Sequence, residues 1–181
     1  MRALGIGIVL AMVATVVVAA GKPAATPAAP QAQAPAMQSG AAAMKIFASA
    51  ADVTSLLAKA KSEWKEGQVM VSEHILTLAP YNANLEYRPV QGAVAVHEKE
   101  AELVYVIDGA GTLTTGGTVM GEKRTNAANL SGTAIDGGSV QKINKGDFSI
   151  IPEGTPHQFK PEGGALVLMT LHVARPVTEM Q

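Results

Sequence analysis

The sequence predicts an all-β fold, a sandwich or barrel, with one N-terminal amphipathic helix. From residue 69 onward, short apolar segments alternate with turns containing Gly, Pro or Asn, roughly every 8 to 12 residues, as is typical of all-β sandwiches and barrels. Only residues 49–64 have apolar residues at helical spacing. One helix is too few for a parallel β-α-β architecture, in which helices alternate with strands.

The elements follow from local periodicity. The face of residues 49–64 that is expected to cover one side of the barrel carries Val53, Leu56, Leu57, Ala60 and Trp64. Strands are predicted at 69–78, 85–88, 93–97, 103–107, 148–151, 157–159 and 165–173, with a returning strand that begins at 112–115 and turns at 80–84 and 108–111. Residues 115–141 predict an elaborated hairpin or a long loop, mainly a solvated excursion.

The first 43 residues are expected to lie outside the folded domain. Residues 1–20 combine Arg2, an uncharged apolar run and small residues at 18–20, the pattern of a secretory signal peptide. The run of about 17 residues is near the lower limit for a spanning helix, so an uncleaved membrane anchor is the alternative. Residues 21–43, rich in Ala, Pro and Gln, predict a disordered linker. The domain is then 44–181, periplasmic or secreted, or membrane-anchored if the segment stays uncleaved.

Composition excludes several classes of function. The net charge of −1 gives no electrostatic case for binding nucleic acid or an anionic membrane surface. The absence of cysteine excludes disulfides, thiolate nucleophiles and cysteine-rich zinc sites. The chain contains no Gly-x-Ser-x-Gly elbow, phosphate-binding glycine loop or His-Glu-x-x-His helix. The expected partner is therefore a small-molecule ligand or substrate.

Two segments combine glycine turns, apolar strands and candidate metal ligands. The first contains His97 and Glu102, followed by an apolar run and Gly109. In the second, Gly146 precedes a buried strand, and a tight turn at Gly154 delivers His157 to the start of the next strand. Histidine and carboxylate side chains at the ends of neighbouring strands can hold a divalent metal inside a small β-barrel.

The two segments resemble the paired motifs of the cupin superfamily, over roughly residues 69–173. The second motif (glycine, five residues, proline, one residue, glycine, two residues, histidine) is filled in order by Gly146, Pro152, Gly154 and His157, whereas the family's following asparagine is Pro161 here. The first motif is usually His-x-His, three or four residues, glutamate, six residues and glycine. Glu102 and Gly109 have that last spacing, so His97 aligns with the second histidine and Ala95 takes the place of the first.

The resemblance implies a cupin-like double-stranded β-helix barrel, or jelly roll, and a homodimer paired through sheet edges. It also implies a metal site, which three histidines and the glutamate usually form. This chain keeps His97, Glu102 and His157. These ligand types suit Fe, Mn, Ni, Cu or Zn, and the sequence does not choose between these divalent metals. Alternation puts the small side chains of Ala93 and Ala95 beside His97, which leaves an open interior.

Other polar residues near the motifs are weaker candidates. Glu98 and Glu100 are expected to face solvent, with either held in reserve as a fourth ligand. His74 and His172 lack motif context and are expected to lie outside the site.

Two functions remain open. The first is a metal-dependent enzyme of the cell envelope that acts on a small molecule as a dioxygenase, isomerase or lyase. The second is a non-catalytic barrel that binds a small ligand and has a structural metal or none. No acid or base partner identifies a reaction. Tyr87 and Arg88, just before the first motif, either line a pocket and orient an anionic substrate or are ordinary strand residues.

Overall fold

The computed structural model describes residues 44–174. The predicted signal peptide or anchor and the predicted linker, in residues 1–43, lie outside the described residues, as do residues 175–181. Within the described part of the chain, no helix combines the length and the apolar character needed to span a membrane.

The predicted helix is confirmed as α1 (Ala50–Glu63). It starts at a capping box, in which the Ser49 hydroxyl accepts from the Asp52 amide and the Asp52 carboxylate accepts from the Ser49 amide. Its apolar face, with the fully buried Ala60, packs on Ile75, Leu85 and Val167 of the sheet. The helix therefore covers part of the outer face of the barrel, as the sequence predicts.

Eleven strands follow the helix in the described residues. They are β1 (Val71–Leu78), β2 (Tyr81–Arg88), β3 (Val94–His97), β4 (Glu100–Thr115), β5 (Thr118–Met120), β6 (Lys123–Arg124), β7 (Asn129–Gly132), β8 (Ala134–Asp136), β9 (Ser139–Asn144), β10 (Phe148–Ile151) and β11 (His157–Ala174). All their pairings are antiparallel.

Two long strands, β4 and β11, pair with each other and connect the two walls of a β-barrel. In the first wall, the C-terminal half of β11 pairs with β2 and with the start of β4, and β1 and β10 extend this wall on either side. In the second wall, β9 pairs with the end of β4, and β3 joins the start of β11 and continues to β7 and β6. This is the architecture of a double-stranded β-helix.

Two predicted turns are wrong. Residues 108–111 form a bend within β4, where Gly109 adopts a positive φ of 84°. β11 passes so close to this bend that a side chain at Gly109 would collide with the carbonyl oxygen of Ala165. The separate strands predicted at 157–159 and 165–173 are consequently one bent strand, β11. The turn predicted at 80–84 is confined to Ala79 and Pro80, joined by a cis peptide bond, since β2 already pairs with β1 from Tyr81.

The core lies between the two walls. Alternate residues of β4 and β11 face inward and are almost fully buried, namely Val104, Val106, Leu166, Leu168 and Phe159. The intervening residues, such as Val167, face α1 on the outside. The inward face of these two strands also carries Glu102 and His157, two of the three candidate metal ligands, whereas His97 lies on β3.

Residues 115–141 form an elaborated hairpin. β5 and β8 make a separate two-stranded sheet, whereas β7 joins the barrel by pairing with β3. The register places Asn129 opposite His97. The expectation of a mainly solvated excursion is thus wrong for β7, which contributes a residue to the interior site.

Candidate metal centre

Three histidines converge on one buried carboxylate. The Nε2 atom of His157 lies 2.9 Å from Oε2 of Glu102, and Nε2 of His97 lies 3.6 Å from the same oxygen. His172 approaches from the other side, with its Nε2 3.9 Å from Oε1 of Glu102. The structure therefore brings together all three residues singled out by their motif positions, and adds a fourth.

Strand register explains this convergence. His172 on β11 lies directly opposite Glu102 on β4. Leu168 and Thr170 are fully buried at alternate positions of β11, and His172 continues the same inward face. His157, at the start of β11, pairs with Ala95 of β3, two residues before His97.

The sequence-based expectation that His172 lies outside the site is wrong. One nitrogen of His172, one nitrogen of His97 and one oxygen of Glu102 all lie within 4.8 Å of one another. The rings of His97 and His172 are 4.2 Å apart between centroids. The available signal was alternation along β11, which places His172 inside the barrel although no motif contains it.

The remaining candidates divide as follows. His74 lies outside the cluster, as expected, and its Nδ1 is 2.7 Å from Oδ1 of Asn84. The carboxylate of Glu98 accepts two hydrogen bonds from Arg124, at 2.7 and 3.0 Å, and is therefore not available as a ligand. Glu100 contacts the site indirectly, because its Oε2 lies 3.4 Å from Nδ1 of His172.

The pKa of Glu102 is lowered in this environment. Its side chain is only 3% exposed, and burial raises the pKa of its carboxyl group. Its contacts with His157, His172 and His97 act in the opposite direction and outweigh burial, so its pKa lies well below the ordinary value. Burial lowers the pKa of His97, but the proximity of the Glu102 carboxylate and of the Asn129 side chain outweighs burial and raises that pKa.

Hydrogen bonds on the far side of two rings fix their tautomers. Nδ1 of His157 lies 3.1 Å from the carbonyl oxygen of Thr155, which can only accept, so Nδ1 carries the proton. Nδ1 of His97 similarly lies 2.8 Å from Oδ1 of Asn129. In the neutral rings both Nε2 atoms then present lone pairs to Glu102. The buried Oε2 of Glu102 finds no hydrogen-bond donor among the described residues.

The centre of the cluster is therefore a favourable position for a positive charge. A lone pair and a carboxylate oxygen 2.9 Å apart repel unless a proton or a cation lies between them. A divalent metal meets this need, and the outer hydrogen bonds of His97 and His157 are those that orient metal-binding imidazoles in proteins. The residues present thus fit a metal ion.

Two cavities adjoin the cluster. One, of about 270 Å³, is lined by His97 and Asn129, by the small residues Gly92, Ala93 and Ala95, and by Arg88, which confirms the open interior beside His97. The other, of about 160 Å³, is lined by His172 and Glu100 together with Asn82 and Asn84. The pocket beside His97 is called the Ala95 pocket below.

The strand order and the paired motifs define a cupin fold. Among solved structures, the chain is similar to the cupin domain of Cnp3 from Schizosaccharomyces pombe, at 13% identity over 64% of this chain and 72% of that one, with a TM-score of 0.46. It is also similar to a cupin protein from Bacteroides fragilis, at 15% identity over 65% of this chain and 86% of that one, with a TM-score of 0.42. A third similar structure is KdgF from Halomonas sp., at 16% identity over 62% of this chain and 89% of that one, with a TM-score of 0.44.

No protein-family model and no curated protein sequence matches the chain. At these levels of identity and TM-score, the structural neighbours say nothing about its activity, which must be argued from the residues of the site.

Proposed function

We propose that the protein binds a divalent transition metal through His97, Glu102 and His157, with His172 as the fourth ligand, and acts on a small molecule. The observation that supports this is the pair of imidazole Nε2 atoms, of His97 and His157, that face Oε2 of Glu102, a buried oxygen with no hydrogen-bond donor among the described residues. The motif resemblance implies three of these ligands. The fourth comes from β11, directly opposite Glu102, and compensates for Ala95.

The donor set accepts several metals. Three imidazoles and one carboxylate suit Fe, Mn, Ni, Cu or Zn. A bound metal would supply Lewis acidity and open coordination positions for a substrate. The protein's own contribution is to orient the ligands through Asn129 and Thr155, and to leave space in the Ala95 pocket. A dioxygenase, isomerase or lyase reaction is consistent with such a centre.

One observation favours a second candidate, a non-catalytic barrel that binds a small ligand and has a structural metal or none. The pKa of His97 is raised, so a proton on this imidazole can also supply that positive charge. In that case the cluster is an internal ion pair, and the pocket holds a ligand without metal chemistry.

Metal analysis separates the two. The full-length chain and the variants His157→Ala, His97→Ala and His74→Ala would be purified in parallel and their metal content measured by mass spectrometry. We expect near-stoichiometric metal in the parent and in His74→Ala, whose histidine lies outside the cluster, and loss in the other two. If the parent binds none of Fe, Mn, Ni, Cu or Zn after reconstitution, the metalloenzyme proposal fails and the metal-free barrel is favoured.

We also propose export to the cell envelope, on the pattern of residues 1–20, and a homodimer, on the cupin resemblance. The edge strand β10 exposes Phe148 and Ile150, by 68% and 66%, which makes it the candidate contact surface. Cell fractionation tests the first proposal, and light scattering on the purified protein tests the second. A cytoplasmic or a strictly monomeric protein, respectively, would contradict them.

A further inference from the structure

We infer that the Ala95 pocket binds the carboxylate of a small organic acid and that Arg88 is the residue that recognises it. The inference names a substrate class for the site described above, and its catalytic meaning rests on the proposed function. Its physical basis is separate, because Arg88 is not part of the proposed metal centre. It rests on the position of the guanidinium group, on what holds it there and on the lining of the pocket.

Arg88 is a mostly buried cation held in one orientation. Its side chain is 13% exposed, and its Nη2 and Nε lie 2.6 and 2.8 Å from the same oxygen, Oε2 of Glu86. The other oxygen of Glu86 accepts a hydrogen bond from the hydroxyl group of Thr170, at 3.1 Å. Glu86 is thus anchored on both sides. A guanidinium held this way loses little conformational entropy when it binds a ligand.

Nη1, the guanidinium nitrogen of Arg88 that does not contact Glu86, lies toward the Ala95 pocket. Neither contact with Glu86 involves Nη1, and a Cβ placed on Gly92 would lie 3.0 Å from Nη1. Arg88 and Gly92 both line the Ala95 pocket. The absence of a side chain at Gly92 therefore leaves this edge of the guanidinium accessible from the pocket.

The position of Arg88 relative to the cluster fits a short molecule. The Cζ atom of Arg88 lies 5.0 Å from the ring centroid of Phe159, and that ring is 6.0 Å from the ring of His157. His97 lines the same pocket of about 270 Å³. A small molecule held at Arg88 in this pocket therefore lies beside His97 of the proposed metal centre.

The lining of the pocket selects the chemical class. A guanidinium edge matches the geometry of a carboxylate better than that of a neutral group. Val69, Met70 and Leu130 offer apolar contacts to a short carbon skeleton, and Ser131 offers a hydroxyl group. Because Glu86 neutralises the charge of Arg88, recognition depends on hydrogen-bond geometry more than on net charge. The expected ligand is a small monocarboxylic acid with an apolar body.

The experiment compares acids with their amides on the full-length chain. Propionate, benzoate, propionamide and benzamide would be titrated by calorimetry into metal-free and metal-loaded protein. We expect the acids to bind at least about tenfold more tightly than the amides in both forms, the difference typical of a charged hydrogen bond. Monocarboxylates are used because they remove metals from proteins far less readily than chelating diacids do.

Two variants test the role of Arg88. Gly92→Ala puts a methyl group against Nη1 while keeping the Arg88–Glu86 pair, and Arg88→Lys keeps the positive charge but loses the planar fork. Each should weaken acid binding by about tenfold or more, by the same hydrogen-bond reasoning. The control Lys142→Gln removes a positive charge from an exposed position outside this pocket and should leave affinity within about twofold of the parent.

The outcomes distinguish this inference from the proposed function. Equal binding of acids and amides, or acid binding unchanged in both variants, overturns the assignment to Arg88. If acids bind only the metal-loaded protein and ignore both substitutions, they bind the metal, so the Arg88 assignment fails and the metal centre stands. If the chain takes up no metal but binds acids in an Arg88-dependent way, the metal centre fails and this inference stands.

Discussion

Replacing Asn129 with alanine removes the group that orients His97 and leaves every proposed metal ligand in place. The Oδ1 atom of Asn129 lies 2.8 Å from Nδ1 of His97 and fixes the tautomer in which Nε2 is free to bind. Loss of such an outer hydrogen bond typically weakens metal affinity by about 10- to 100-fold, or about 1.4 to 2.8 kcal/mol. The side chain of His97 is 17% exposed, so water can partly replace the lost acceptor. We therefore expect an effect near the lower limit, about tenfold.

The assay is a competition titration of the metal-free protein against a chromophoric chelator, with the metal that the parent retains on purification. Asn129→Asp supplies a stronger acceptor at the same position and should bind metal at least as tightly as the parent. Asn144→Ala removes an exposed amide of β9 and serves as the matched control. Circular dichroism shows whether each variant keeps the β-fold.

The reasoning would be refuted by a folded Asn129→Ala variant whose metal affinity equals that of the parent. It would also be refuted if Asn129→Asp and Asn129→Ala lost affinity equally, because the acceptor would then have no role. In either case the orientation of His97 would have to come from the barrel alone.

Three further predictions concern the ligands, the core and the helix cap. His172→Ala should lower metal affinity by at least about tenfold in the same titration, and unchanged affinity would remove His172 from the ligand set. Leu168→Ala, at a fully buried position, should lower the free energy of unfolding by about 2 to 5 kcal/mol in chemical denaturation. The control Val140→Ala, at a position 64% exposed, should change this free energy by less than about 0.5 kcal/mol. Equal effects of the two substitutions would contradict the assigned core. Backbone and side-chain hydrogen bonds from Ser49 hold the pKa of Asp52 below its ordinary value of 3.8. The capping box therefore stabilises the helix above pH 3.8, and this stabilisation is lost as the pH falls through the lowered pKa. An NMR pH titration should show this lowered pKa, and Ser49→Ala should move it back toward 3.8; a parent value at or above 3.8 would contradict the assignment.

Local signals predicted most of the fold. The helix and the central strands follow from periodicity within a few neighbouring residues, because a helix face or a strand face is set by local backbone geometry. The two wrong turns have a tertiary cause. Residues 108–111 have the composition of a turn, but Gly109 bends within β4 because β11 passes directly against it. Residues 81–84 contain Asn and Ala, yet pairing with β1 makes them part of β2.

The site was predictable to the extent that it lies in the motifs. His97, Glu102 and His157 have fixed spacing to glycines and a proline, so the sequence alone selects them. His172 and Asn129 join the site through strand register: one lies opposite Glu102 and the other opposite His97. Register between distant segments is not encoded in local spacing. A search based on the motifs alone would therefore miss His172.

The continuity of β4 and β11 through both walls restricts how small molecules can enter and leave the barrel. Each of these strands runs through both walls, so the walls can move apart only if the hydrogen bonds between β4 and β11 break. This pairing is the longest in the described structure. Opening of that kind is close to global unfolding, whereas short strands and loops at the rims open at a lower energetic cost. Exchange between the interior and bulk water must then occur at the rims. The short segment between β6 and β7, residues 125–128, contributes Thr125 to the lining of the Ala95 pocket, and mobility there would set the rate of that exchange.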